Sequence, residues 1–211
     1  MTLYGNRPVD LGLIDLSPEE MMFWLYCPIS LVGLDTVILP PNLEWTWPIV
    51  SAVLHDLGDT RAIADYIYLT AKTLHVTPEN MGNRPGWHSD GFGTDDLNYI
   101  WQDRFPTEFM EPAAPFVLPD DHTESMRVMN DQRDYDVATY PVKHLLRLDQ
   151  TVIHRVPLVS QSGMRTFVKV SISPDRYALR GNSVNHGLHY DWPVIDRRAE
   201  RNHPQANEAK P

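Results

Sequence analysis

Met164-Arg-Thr-Phe-Val-Lys-Val-Ser-Ile-Ser173 is the clearest strand in the chain, rich in β-branched residues and preceded by a turn at 160–163. Reading outward, 151–158 and 139–148 are strand candidates joined by a turn at Asp149-Gln150. Further upstream, 107–110, Leu97-Asn-Tyr-Ile-Trp-Gln102, the short stretch 87–92 and the aromatic, β-branched segment 66–77 read the same way. Some eight short strands separated by closely spaced turn signals predict a mainly β fold with flanking helices, a sandwich or jelly roll.

The remaining segments frame these strands. Ser17-Pro18-Glu19-Glu20 combines a cap serine, a proline at the first helical position and a glutamate three residues on, and predicts a helix stopped by Pro28. A second helix is expected over 48–57, where Ile49, Val50, Val53, Leu54 and Leu57 recur at helical spacing before Gly58. Residues 1–60 therefore read as a helical N-terminal part. The acidic, proline-containing stretch 111–136 reads as a long loop that closes over a pocket mouth. Residues 197–211 are polar and read as a mobile tail, leaving one domain over 1–196.

Composition narrows the chemistry. The 211 residues carry a formal charge of −10, which argues against nucleic acid as a partner. One cysteine, Cys27, excludes an internal disulfide and a multi-cysteine zinc site, and its expected place at the end of an apolar helix makes it a buried, inert thiol. The first residues lack a basic-then-apolar leader pattern, and no apolar run reaches membrane-spanning length. A soluble, cytoplasmic protein with no membrane partner is expected. No Gly-x-Ser-x-Gly elbow, phosphate loop or dinucleotide glycine fingerprint occurs.

The chemistry-bearing constellation is His88-Ser-Asp90, then His154, then Arg165. Residues two apart in a strand share a face, so His88 and Asp90 can chelate one ion, with His154 contributed by a distant strand. Two histidines and one carboxylate form a facial triad, the ligand set for Fe(II) with positions left open for a co-substrate and O2. A single His-x-Asp pair is weak evidence in a chain with nine histidines, and His189-Tyr-Asp191 is a second one. After Asp191 only His203 remains, in the polar tail, whereas strands carrying His154 and Arg165 follow Asp90.

Arg84-Pro-Gly-Trp-His-Ser-Asp90 and His154-Arg-Val-Pro-Leu-Val-Ser-Gln-Ser-Gly-Met-Arg165 resemble the proximal and distal halves of the Fe(II)/2-oxoglutarate dioxygenase superfamily, over about residues 66–173. The resemblance implies a double-stranded β-helix, with His88, Asp90 and His154 as iron ligands. It implies that Arg165 pairs with the distal carboxylate of 2-oxoglutarate, and an arginine fork suits that task. It further implies O2-dependent hydroxylation of an unidentified substrate coupled to succinate release. Tyr99 is the expected co-substrate contact, and Trp101, Tyr66 and Tyr68 the expected substrate-pocket residues. Lys169 shares a strand face with Arg165 and is the next candidate for the carboxylate. A cupin-type metalloenzyme without 2-oxoglutarate and an inactive jelly-roll binding module remain the alternatives.

Overall fold

The computed structural model describes residues 2–18 and 20–196; the expected tail lies outside them. In chain order come strands β1 (Val9–Leu13) and β2 (Met22–Ser30), a 3-10 turn (Pro41–Thr46), and helices α1 (Trp47–Leu57) and α2 (Asp59–Ala64). Strands β3 (Tyr66–Val76), β4 (Leu97–Gln102) and β5 (Glu108–Pro112), helix α3 (His122–Asp131), and strands β6 (Tyr135–Thr139), β7 (His144–Leu148), β8 (His154–Arg155) and β9 (Gly163–Ser173) follow. A larger antiparallel sheet has the order β1-β7-β4-β9-β3-β2, and a smaller one β6-β5-β8.

The pairings nest. β3 pairs with β9, the short strip at His88 with β8, β4 with β7, and β5 with β6, all antiparallel. This is one long hairpin folded back on itself so that successive pairs alternate between two sheets. That topology is the jelly roll, or double-stranded β-helix. β1 and β2 then extend the two edges of the larger sheet.

Alternation along the central strands assigns the two faces of the larger sheet. Ile67, Leu69 and Ala71 of β3, Tyr99 and Trp101 of β4, and Val168, Val170 and Ile172 of β9 share one buried cluster with Ile49, Val50 and Val53 of α1. The opposite face carries Ile100, Leu146 and Leu148, which pack on Phe109 of the smaller sheet. α1 follows its sequence expectation closely, with Pro48 in its first turn and Gly58, at φ 76°, as its stop.

The helix expected from Ser17 is instead the edge strand β2, paired with β3 from Met22 to Ser30. A helix of that length is too short for local propensity to sustain. Phe23, Trp24, Tyr26 and Ile29 suit a pleated surface next to the eleven residues of β3. Pro28 is tolerated because β2 has a neighbour on one side only. The N-terminal part is thus strand and helix together. Cys27 lies on this strand, fully buried, and burial pushes its thiol up to about 12. Among the described residues no helix is long and apolar enough to cross a membrane.

Residues 111–136 are also not a structureless closure. They contain α3, capped by the Asp121 carboxylate accepting from the Glu124 N–H, with Met129 fully buried against Trp87, Phe92 and Ile153. The strand expected over 139–148 is broken between β6 and β7, where Lys143 takes a φ of 65°.

Because α1 is held by its apolar face, truncating Ile49, which has no exposed surface, should cost about 2–5 kcal/mol in urea unfolding. Truncating the exposed Ile63 should stay within about 0.5 kcal/mol. Equal losses would contradict this packing.

Candidate metal centre

His88 and His154 are direct cross-strand neighbours. Each donates its backbone N–H to the other's carbonyl, at 3.0 and 2.9 Å, which places the two imidazoles side by side with centroids 4.6 Å apart. The neighbouring residues fix the direction. Ser89 turns the opposite way and donates its hydroxyl to the Gln150 carbonyl, so His88 and Asp90 share the inner side. Gly91 then turns the chain at φ 69°, where a Cβ would lie 2.8 Å from that of Asp96, so the position is closed to larger residues. From behind, the Asn130 side chain of α3 bonds both the N–H and the carbonyl of Trp87, at 2.9 Å each.

The ring orientations suit metal binding. His88 Nδ1 lies 2.9 Å from the Gly86 carbonyl and His154 Nδ1 lies 3.3 Å from the Val152 carbonyl. A carbonyl only accepts, so each Nδ1 carries a proton, which leaves Nε2 as the nitrogen that a neutral ring offers to a metal. His154 Nε2 is 3.7 Å from Asp90 Oδ2. One ligand atom from each of His88, Asp90 and His154 lies within 4.8 Å of the others. Among the described residues this is the one such group of three, and His189-Tyr-Asp191 forms none.

The electrostatics keep these groups in ligand form. Burial, reinforced by His88, pushes His154 down to about 4, so its ring is neutral near pH 7. Burial alone would raise Asp90, but Lys169 and the two histidines outweigh it and hold the carboxyl far below the usual range. Lys169 Nζ sits 3.0 Å from Asp90 Oδ2 and 2.9 Å from the Tyr26 hydroxyl. Burial would lower this ammonium, but Asp90 more than compensates and raises it. Tyr26 reaches it from a bulge in β2, at φ 46°, between Trp24 and Cys27.

Arg165 faces the interior from the start of β9 and is 3% exposed. Its Nε donates to the carbonyls of Arg104 and Phe105, at 3.3 and 3.2 Å, while its buried Nη2 has no hydrogen-bond partner. Burial lowers the guanidinium to about 10. It stacks on Phe167, which lines the cavity beside His88, Asp90 and His154, so Arg165 stands one layer behind the cavity wall.

The other expected site residues are placed elsewhere. Tyr99 donates to the Asp56 carboxylate at 2.8 Å, and Trp101 Nε1 donates to the Ile14 carbonyl at 2.9 Å; both face the helices, away from His88, Asp90 and His154. Their parity on β4 is the reverse of the expected one, and Asn98 and Ile100 line the cavities instead. Tyr68 is on the inner face but buried, donating to the Asp175 carbonyl and packed on Tyr26 and Tyr177. Tyr66 packs edge-on against Trp192. From β3 it is Thr70 and Lys72 that reach the cavity. Tyr26 had no sequence signal, since its aim comes from the bulge.

No family model matches the chain, and no curated protein does. Solved structures with partial likeness include EvdO2 from Micromonospora carbonacea var. aurantiaca, one form of it complexed with 2-oxoglutarate, at 19% identity and TM-score 0.36. Another is a 2OG-Fe(II) oxygenase family oxidoreductase from Burkholderia pseudomallei, at 10% identity and TM-score 0.37. A third is a bsmA homolog from Methylobium petroleophilum PM1, at 16% identity and TM-score 0.35. They cover 64%, 70% and 63% of this chain, and this chain spans 60%, 64% and 50% of theirs. At TM-scores this low, the fold rests on the nested pairings and the site on its own geometry.

Removing one partner of a buried ion pair leaves the other charge stranded. Lys169→Met should therefore destabilise the metal-free protein by about 3 kcal/mol, and Asp90→Asn in the same chain should recover most of that loss. Additive losses in a double-mutant cycle would show that the two groups are independently solvated.

Proposed function

We propose that the chain is a non-haem Fe(II)/2-oxoglutarate-dependent oxygenase that hydroxylates its substrate while 2-oxoglutarate is decarboxylated to succinate. The observation that carries this reading is the clustering of one ligand atom each from His88, Asp90 and His154 within 4.8 Å of one another, with both Nδ1 atoms turned away to backbone carbonyls. Three protein ligands of this type leave open positions on an octahedral ion, which is what distinguishes the facial triad from a closed structural site. A bound Fe(II) would supply the one-electron and O2 chemistry that no protein side chain provides.

The chain's own residues have separable tasks in this reading. His88 and His154 present fixed tautomers, and Asp90 presents a carboxylate whose charge Lys169 already stabilises. Arg165 supports the co-substrate assignment through its buried, unpartnered Nη2, because a buried donor without an acceptor is costly and a ligand carboxylate relieves it. Ile100, Val156 and Phe167 supply an apolar patch in a cavity otherwise lined by polar and charged side chains.

The test is iron content and succinate release under the same conditions. His88→Ala should lose most of its iron and all 2-oxoglutarate turnover. Arg165→Ala should keep its iron but raise the KM for 2-oxoglutarate strongly, since losing a buried charge-assisted contact costs on the order of 2–5 kcal/mol. Unchanged iron in the first variant would overturn the metal assignment. An unchanged KM in the second would transfer the carboxylate to Lys169 or Lys72.

A further inference from the structure

Two cavities meet at the metal ligands. The inner one runs between the sheets beside His154 and is lined by Thr70, Lys72, Asn83, Arg155 and Lys169. The outer one opens past Asn98, His122, Tyr177 and Asn182. Tyr26, Arg84, His88 and Asp90 line both, so Arg84 stands at their junction, directly beside the centre.

The charge of the inner cavity runs against that of the chain. Lys72, Arg84, Arg155 and Lys169 line it, and Asp90 is the single acidic residue among its described lining, in a protein of net charge −10. A concave site of one sign with low-dielectric walls attracts ligands of the opposite sign. Three of the four cations are already engaged. Lys169 holds Asp90, Arg155 bonds Glu108 at 2.7 Å and stacks on Trp87, and Lys72 donates to the Gly82 carbonyl and to Asn83 Oδ1.

Arg84 differs from them. The one hydrogen bond recorded for its guanidinium goes to Met126 Sδ at 3.4 Å, a weak acceptor, and it has no acidic partner among the described residues. The side chain is exposed, yet its backbone is held: Pro85 restricts it from one side, and Asn130 pins Trp87, the residue after Gly86, whose carbonyl meets the His88 ring. The guanidinium is thus a fork of donors carried on a held backbone beside His88 and Asp90, without an acid among the described residues to fill it.

We propose that the substrate carries an anionic group, a carboxylate or a phosphate, and that Arg84 receives it at the junction of the two cavities. This rests on the oxygenase reading and adds the substrate class to it. Planar, bidentate recognition is what a guanidinium offers either anion. Arg165, buried behind Phe167, is left for the co-substrate, so the two anions have separate receptors.

The test loads the protein anaerobically with Mn(II) and 2-oxoglutarate and measures the proton relaxation of octanoate, hexyl phosphate and neutral 1-octanol. At least one anion should be relaxed by the bound ion well beyond octanol, and the stronger of the two identifies the group. Arg84→Gln, an exposed substitution, should weaken that anion's binding about tenfold or more, in titrations of both the metal-loaded and the metal-free protein. Equal behaviour of octanol and both anions, or undiminished anion binding in Arg84→Gln, would overturn the proposal. The protons of 2-oxoglutarate serve as the control. If they are relaxed while the probes fail, the substrate class is wrong and the metal centre stands; if they are not relaxed, the oxygenase reading fails and this proposal fails with it.

Discussion

The site depends on one pair of backbone hydrogen bonds, those exchanged between His88 and His154. The two residues are 66 positions apart, and neither lies in a long strand. Their pairing is the second of four nested pairs, so it forms only if β3 has found β9 on one side and β4 has found β7 on the other. Closing such non-local pairs carries a large entropic cost, which the apolar cluster around α1 and the interior layer around Phe109 must offset. The three candidate ligands are therefore brought together by the topology of the whole domain.

The second constraint is electrostatic. Asp90 faces two imidazoles and the edge of a buried region, where an isolated carboxylate would be expensive. Lys169 answers that cost from the adjacent sheet, and the Tyr26 hydroxyl completes its contacts. Asp90 is thus held charged and oriented before any ion arrives. A neutral His154, and ring Nδ1 atoms of both histidines turned to backbone carbonyls, complete a donor set arranged in advance, so that little reorganisation is required for an ion to bind.

What the sequence made legible follows from the range of the interactions involved. The strands at 66–76, 97–102 and 163–173 were readable because β-branched and aromatic runs report local preference and burial together. That His88 and Asp90 share a side was readable because alternation in a strand is local geometry, whereas the approach of His154 is a tertiary contact. β2 was misread because Ser17-Pro18-Glu19-Glu20 imitates a helix start, while the partner that makes it a strand, β3, is distant in sequence. Tyr99 and Trp101 were given the wrong face because Leu97-Asn-Tyr-Ile-Trp-Gln102 lacks clean alternation, and only the packing of α1 decides which side is outside. α3 was hidden by its polar composition, and its role in pinning Trp87 through Asn130 is a tertiary contact.

The central claim is that His88, Asp90 and His154 converge on one divalent ion. An anaerobic crystal structure with Mn(II), phased for the anomalous signal of the metal, tests it most directly. The account predicts one strong peak per chain within coordination distance of His88 Nε2, His154 Nε2 and an Asp90 carboxylate oxygen, with Lys169 still beside Asp90. A peak elsewhere, or a fully formed cluster that holds no ion at saturating Mn(II), would contradict it.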